Sequence, residues 1–140
     1  MVMSISGFYN FLYICKDRVV ASVSSVIGLI SVRIYLPLLV AINALTWITV
    51  YYITSRSNEE LVVLHYNVDF GVDLMGSVER LYIMPGAGLF VLAVNIVLLL
   101  LLHRRRDIRF LAHFLLAPAL IVNIILFISL GPIYLVNFVY

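Results

Sequence analysis

Three long segments without a charged side chain constrain the fold of this chain more than any other feature. They run from residue 34 to 53, from 84 to 102 and from 110 to 140. An α-helix needs about 20 apolar residues to cross a hydrocarbon core of ~30 Å, and each segment is long enough for one crossing. The chain of 140 residues is also 64% hydrophobic and 11% charged, which is too apolar for a water-soluble domain of this size. The sequence therefore predicts an all-α membrane protein with three transmembrane helices.

The third segment is longer than one span requires. Gly131 and Pro132 are typical of a helix end, so we expect the third helix to end near Leu130, with an apolar tail that lies at the interface or extends the span. The single predicted membrane domain divides into an interfacial segment (1–33), span 1 (34–53), an outer loop (54–83), span 2 (84–102), an inner loop (103–109), span 3 (110–130) and a tail (131–140).

The N-terminal segment contains an apolar stretch, Val19–Val32, that is too short to span a bilayer and is flanked by Arg18 and Arg33. This pattern favours a helix that lies in the membrane interface. A cleavable signal peptide fits less well, because the charges follow the first apolar stretch instead of preceding it. The one cysteine, Cys15, excludes an internal disulfide framework and a CxxC motif.

The loop charges predict the direction of the spans. Residues 103–109 carry four arginines against the single acid Asp107, whereas residues 54–83 carry two basic and five acidic side chains. Basic residues near span ends are retained in the cytoplasm, so we expect a cytoplasmic N-terminus and an extracytoplasmic C-terminus in a multi-pass protein of the cell (inner) membrane. His113 follows the arginines by one turn and is interpreted as a snorkelling or capping side chain.

Each predicted span carries one asparagine near its middle: Asn43, Asn95 and Asn123. An unpaired amide is unfavourable in hydrocarbon, so these residues are expected to tie the three helices together by hydrogen bonds. A polar path or ligand site at the same depth is the alternative. Gly86 and Gly88 are small residues that would allow close helix approach.

The outer loop is the candidate functional segment, because the stretch HYNVDFGVDLMGS (65–77) concentrates polar side chains and glycines between two apolar runs. We expect a short strand over Leu61–Tyr66, a turn over Asn67–Gly71, and packing of this apolar loop on the helix ends. The candidate binding residues are His65, Asn67, Asp69, Asp73, Gly76 and Ser77.

Several chemical interpretations of this loop stay open. Asn67 and Asp73 could form a structural turn, or the turn could recognise a peptide, a lipid headgroup or another membrane protein. His65 with Asp69 or Asp73 offers zinc-type ligands, but without a strong ligand spacing, and no nucleophile has a base beside it. We therefore assign no catalytic residue, metal or cofactor.

The loop also resembles a membrane module of unknown function that occurs in bacterial immunity proteins against the sporulation-delaying toxin and in other small bacterial membrane proteins. The resemblance covers roughly residues 34–105. It is carried by His65, Asn67, Asp73, Gly76, Ser77 and Pro85. The chain departs from the module at Val63, where the module usually has proline, and at Gly71, which falls one place later. The resemblance implies a bacterial membrane protein with an ordered extracytoplasmic loop.

These observations lead us to expect a non-enzymatic sensing, immunity or partner-binding module. Its partners would be the lipid bilayer and a peptide or membrane protein at the outer face. The alternative is an oligomeric transporter or channel subunit with the asparagines between protomers; a scaffold or assembly factor is a third class. The net charge of +2, without a basic patch interleaved with aromatics, argues against nucleic-acid binding.

Overall fold

The computed structural model describes residues 5–57, 61–67 and 71–138, with side chains for all of these except residues 5–12, 15, 65–67 and 71–73. In chain order the elements are α1 (Ile5–Ile27), α2 (Ile30–Arg56), β1 (Leu61–Asn67), β2 (Gly71–Ser77), a 3-10 helix (Val78–Tyr82), α3 (Ile83–Leu102) and α4 (Ile108–Phe138). Helices α2, α3 and α4 pack together, and α1 packs beside α2 and α3.

Three helical segments of the described chain are long and apolar enough to cross a membrane. They are Ile30–Arg56, Val78–Leu102 and Ile108–Phe138, with mean hydropathies of 1.7, 2.5 and 2.5. The predicted fold class is confirmed at this level: the protein has the helical architecture of a multi-pass membrane protein. We call the two ends of the bundle the hairpin end, which carries β1 and β2, and the arginine end, which carries the 103–109 connection.

The N-terminal segment forms a longer helix than its apolar stretch indicates. Helix α1 extends back to Ile5 and ends at Ile27. Leu29 then adopts an extended conformation (φ −74°, ψ 129°), and its N–H donates to the Val26 carbonyl at 3.1 Å. Helix α2 starts directly afterwards, so residues 30–33 belong to it and not to the N-terminal segment.

The predicted end of the last helix near Leu130 is wrong. Helix α4 continues through Gly131 and Pro132 as far as Phe138. Proline is tolerated inside membrane helices when neighbouring elements compensate for the lost hydrogen bond. Here the residues after the proline have packing partners, because Ile133 is 7% exposed and belongs to the apolar core at the hairpin end.

The outer loop folds into an antiparallel hairpin, β1 paired with β2. The predicted strand over Leu61–Tyr66 agrees with β1, whereas the second strand was not predicted. Residues 68–70 of the predicted turn lie outside the described residues. The described part of the segment packs against the helix ends, as its apolar composition suggests, since Val62 and Leu81 are 3% and 1% exposed.

The apolar core of the described part of the chain consists of two separate clusters. The arginine-end core contains Val26, Val32, Leu39, Leu92, Leu99, Ala112, Leu116 and Ala119. The hairpin-end core contains Val50, Ile53, Leu81, Leu130 and Ile133. Along α2 and α4, the buried polar residues Asn43, Thr46 and Asn123 fall between the two clusters. A polar layer thus divides the interior of the bundle.

Candidate functional site

The predicted binding residues lie on the hairpin that joins α2 to α3. His65 and Asn67 belong to β1, and Asp73, Gly76 and Ser77 belong to β2, while Asp69 lies outside the described residues. The backbone of His65 pairs with that of Leu74, the residue that follows Asp73. The fold therefore brings the backbone positions of His65 and Asp73 close together across the two strands; their side chains lie outside the described part.

The hairpin ladder is irregular around His65. The pairing runs Val63↔Met75, His65↔Leu74 and Tyr66↔Val72. Leu64 on β1 and Asp73 on β2 therefore each lack an opposite residue. Such bulges bend a strand and change the direction of nearby side chains, and they are frequent beside functional sites. The two register shifts make this part of the hairpin distinct from a regular two-stranded ladder.

Gly76 and Ser77 have different environments. A Cβ added at Gly76 would lie 2.7 Å from Leu64 Cδ1 and 3.1 Å from Arg80 Cδ, so these two side chains pack closely over the glycine and a larger residue would displace them. Ser77 is exposed and precedes the 3-10 helix, but its side chain makes no capping hydrogen bond. Gly76 is thus explained by packing, and Ser77 is a surface residue.

Asn137 of α4 attaches the hairpin to the bundle. Its Nδ2 donates to the Val63 carbonyl at 2.9 Å, and its Oδ1 accepts from the Val63 N–H at 2.8 Å. This is the bonding pattern that a neighbouring strand would offer to the edge of β1. Asn137 Nδ2 also donates to the Ile133 carbonyl of its own helix at 2.7 Å, which fixes the amide. We call this arrangement the Asn137 clamp.

Sequence reasoning missed the clamp, because it ended the helix before Asn137. The available signal was a lone amide in an otherwise apolar, aromatic run, IYLVNFVY. A second polar contact supports the same end of the bundle, since the hydroxyls of Thr54 and Tyr82 lie 3.1 Å apart and join α2 to the 3-10 helix.

The hairpin also presents apolar side chains at its surface. Leu61, Leu74 and Met75 are 60%, 49% and 56% exposed, although β1 itself is attached to α4. Among the described residues, no three His, Cys, Asp or Glu side chains form a group that could hold a metal ion. The described surface of the hairpin is therefore suited to apolar contact and backbone hydrogen bonding.

Asn43 and Asn123 form a buried polar layer in the middle of the bundle. Asn43 Nδ2 donates to the Pro85 carbonyl at 2.9 Å and to Asn123 Oδ1 at 3.2 Å. Asn123 Nδ2 donates to the Ala119 carbonyl at 3.0 Å and to the Gly88 carbonyl at 3.4 Å. The two asparagines are 5% and 1% exposed. They connect all three spanning helices, as expected for Asn43 and Asn123.

Helix α3 joins this layer through its backbone, whereas the described contact of Asn95, which was expected to tie the helices together, lies within its own helix. Asn95 Nδ2 donates to the Val91 carbonyl of its own helix at 2.8 Å. The close approach depends on Gly88, where an added Cβ would lie 2.7 Å from Asn43 Nδ2 and closer still to Asn123 Oδ1. An added Cβ at Gly86 would meet nothing within 4 Å, so only one of the two predicted glycines is needed for close approach.

Two serine–histidine contacts join the helices at the arginine end. Ser22 Oγ of α1 lies 3.4 Å from Nε2 of His103, and Ser31 Oγ of α2 lies 2.9 Å from Nε2 of His113. His113 Nδ1 also lies 3.4 Å from the Tyr35 hydroxyl. His113 is therefore a hydrogen-bond partner for α2, whereas the sequence suggested a snorkelling or capping side chain.

Comparison of the chain with protein-family models, with curated proteins and with solved structures finds no match. The functional argument therefore depends on the geometry of the hairpin and of the bundle.

Proposed function

We propose that this protein is a non-enzymatic membrane module that binds a partner through its hairpin, in a sensing or immunity role. The observation that carries the proposal is the Asn137 clamp, which holds the edge of β1 on the end of α4. A clamp of this kind is unnecessary for a simple connection between two helices. It presents the hairpin in one orientation, and a preorganised surface loses less entropy when it binds.

The proposed location follows from the positive charges at the arginine end. Arginines near span ends stay in the cytoplasm, so the hairpin would face the extracytoplasmic side of a bacterial-type inner membrane. The partner would then be a peptide or the extracytoplasmic part of another membrane protein. Leu61, Leu74 and Met75 would supply apolar contact, and the backbone of the outer strand, β2, would supply hydrogen bonds to an extended segment.

A crosslinking experiment in native membranes tests this proposal. A photoreactive residue replaces Leu74 or Met75 on the hairpin, or Phe90 on α3 as an exposed control outside the hairpin. We expect a discrete adduct from the hairpin positions only, and we expect Asn137→Ala to weaken it. Equal adducts from all three positions, or none from the hairpin, would contradict the proposal.

A metal measurement separates this function from a metal site. Metal content and melting temperature of the purified protein are compared with and without chelator, beside His65→Ala. We expect no stoichiometric metal and no chelator effect. A stoichiometric metal that is lost on chelation, with a fall in melting temperature that His65→Ala abolishes, would replace partner binding by a metal-dependent role.

The second candidate, an oligomeric transporter or channel subunit, is favoured by Asn95. This amide is only partly buried on α3, between the exposed side chains of Val94 and Val97. A second copy could bond to it, because interhelical hydrogen bonds between membrane helices contribute about 0.6 to 2 kcal/mol. Crosslinking in mild detergent distinguishes the two: an oligomer with Asn95 at its interface supports the subunit, and a monomer supports the partner-binding module.

A further inference from the structure

A pocket of about 440 Å³ opens at the arginine end, between the start of α2 and the start of α4. Gly28 and Leu29, which connect α1 to α2, form one side of it together with Ile30. Ser31, Arg33, Arg109 and His113 contribute its polar lining. It lies at the opposite end of the bundle from the hairpin, so it is independent of the proposed partner-binding surface.

Ser31, Arg33 and His113 of the polar lining are held in place by hydrogen bonds. Arg33 Nε donates to the Ile27 carbonyl at 3.0 Å, which positions the guanidinium and uses one of its five N–H donors. His113 lies between the Ser31 hydroxyl at 2.9 Å and the Tyr35 hydroxyl at 3.4 Å. Ser31 is only 4% exposed, so this wall of the pocket is part of the packed structure.

The charge of the pocket favours an anion. Two guanidinium groups, Arg33 and Arg109, line it together with hydroxyl and imidazole groups, and no acidic side chain is among its lining residues. Guanidinium groups form paired, charge-assisted hydrogen bonds to phosphate oxygens. The first turn of α2 also lies in the pocket wall, and a helix start adds positive potential.

The position of the pocket indicates where the anion comes from. It lies where two helices that are long and apolar enough to span a membrane begin. Lipid headgroups meet a membrane-spanning bundle at the ends of its helices. Phe110 and Phe114, on the first turns of α4, are 69% and 65% exposed and would contact acyl chains. We propose that this pocket binds the phosphate group of an anionic phospholipid, with Arg33 and Arg109 as its charged ligands. Basic pockets between membrane helices are a known mode of headgroup recognition.

The test uses the full chain, purified in an uncharged detergent and freed of lipid. Phosphatidylglycerol and phosphatidylcholine with identical acyl chains are added separately, and bound lipid is counted by native mass spectrometry. Inorganic phosphate alone forms a third arm, measured by melting temperature. The pocket variant is R33Q/R109Q, and the matched control is R104Q/R106Q, which removes the same charge from the same end without altering the pocket lining.

We expect the wild-type chain to bind phosphatidylglycerol at least about tenfold more tightly than phosphatidylcholine, and R33Q/R109Q to lose that preference. The control should change the preference less than about threefold, because Arg104 and Arg106 do not line the pocket and would act on a bound headgroup only through longer-range, screened charge. Equal losses in both variants, or no preference in the wild type, would overturn the proposal. Stabilisation by inorganic phosphate with no preference between the lipids would overturn the lipid as the occupant.

Folding of each variant is checked by its melting temperature without lipid. If R33Q/R109Q unfolds, because Arg33 also bonds to Ile27, the single variants R109Q and R33K replace it. R109Q should weaken the binding of phosphatidylglycerol about threefold to tenfold, and R33K should weaken it less, because lysine keeps the charge but not the paired donors. No effect of R109Q on lipid binding would overturn the proposal.

Discussion

Asparagine serves two different purposes in this molecule, in the middle of the bundle and at the hairpin end. Asn43 and Asn123 bond to one another and to backbone carbonyls, and both are almost completely buried. Asn137 is partly buried and bonds both polar groups of Val63. Asn43 and Asn123 hold the helices together, whereas Asn137 holds the hairpin to α4.

The difference shows that burial, more than residue type, determines how much a side-chain amide contributes to the free energy of folding. In the interior, each amide that loses its partner is left in an apolar environment, which is strongly unfavourable. At the hairpin end, water or lipid headgroups can replace a lost hydrogen bond. Disruption of the interior layer should therefore weaken the whole bundle, while disruption of the clamp should release the hairpin alone.

The largest effect is expected at Gly88. Gly88→Ala places a methyl group against both asparagines, and overpacking together with lost hydrogen bonds should lower the free energy of unfolding by about 3 kcal/mol. Gly86→Ala is the matched control on the same helix, and it should stabilise by about 0.5 to 1 kcal/mol, because its methyl group meets open space. Denaturant unfolding in mixed micelles measures both. Equal changes in the free energy of unfolding for the two variants would show that the polar layer around Gly88 is loosely packed.

The next effect is expected at the asparagine pair. Asn123→Ala should destabilise the bundle by about 2 kcal/mol, since it removes a buried partner of Asn43. A double-mutant cycle with Asn43→Ala should give a coupling energy of about 1 kcal/mol. Additive single effects would mean that the two amides act independently.

A smaller and local effect is expected at the clamp. Asn137→Ala should lower the free energy of hairpin opening by about 1 kcal/mol, with the bundle unfolding at nearly the same denaturant concentration. Hydrogen exchange at the Val63 amide measures the opening directly. Ser77→Ala on the same hairpin is the control and should not change this exchange. Destabilisation of the entire bundle by Asn137→Ala would remove the distinction between the two regions.

The smallest effect is expected at Asn95. Asn95→Leu should change the free energy of unfolding by less than about 0.5 kcal/mol, because among the described residues its amide bonds within its own helix. Unfolding and crosslinking of the same sample check this. A large loss of stability together with loss of an oligomer would favour the transporter or channel subunit over the partner-binding module.

The sequence predicts the parts of the fold that depend on local apolar length. The bounds of α3 agree with its uncharged segment, and the strand over Leu61–Tyr66 follows from local composition. The predicted end of α4 was wrong. Gly131 and Pro132 are a local signal for a helix end, but the contacts of Ile133 and Asn137 with distant elements stabilise the helix beyond them. Which asparagine pairs with which also depends on helix rotation, and an almost entirely apolar helix gives no pattern that reveals its buried face.

The polar layer has a consequence for the register of the helices. Helices α3 and α4 are apolar on nearly all sides, so apolar packing alone would allow one helix to slide past another by a turn, about 5.4 Å, at small energetic expense. Such a shift would move Asn123 away from Asn43 and would place side chains other than Gly88 at the narrowest point. A few polar and small residues thus select one alignment among many of similar packing energy, much as a single buried asparagine fixes the alignment of a coiled coil.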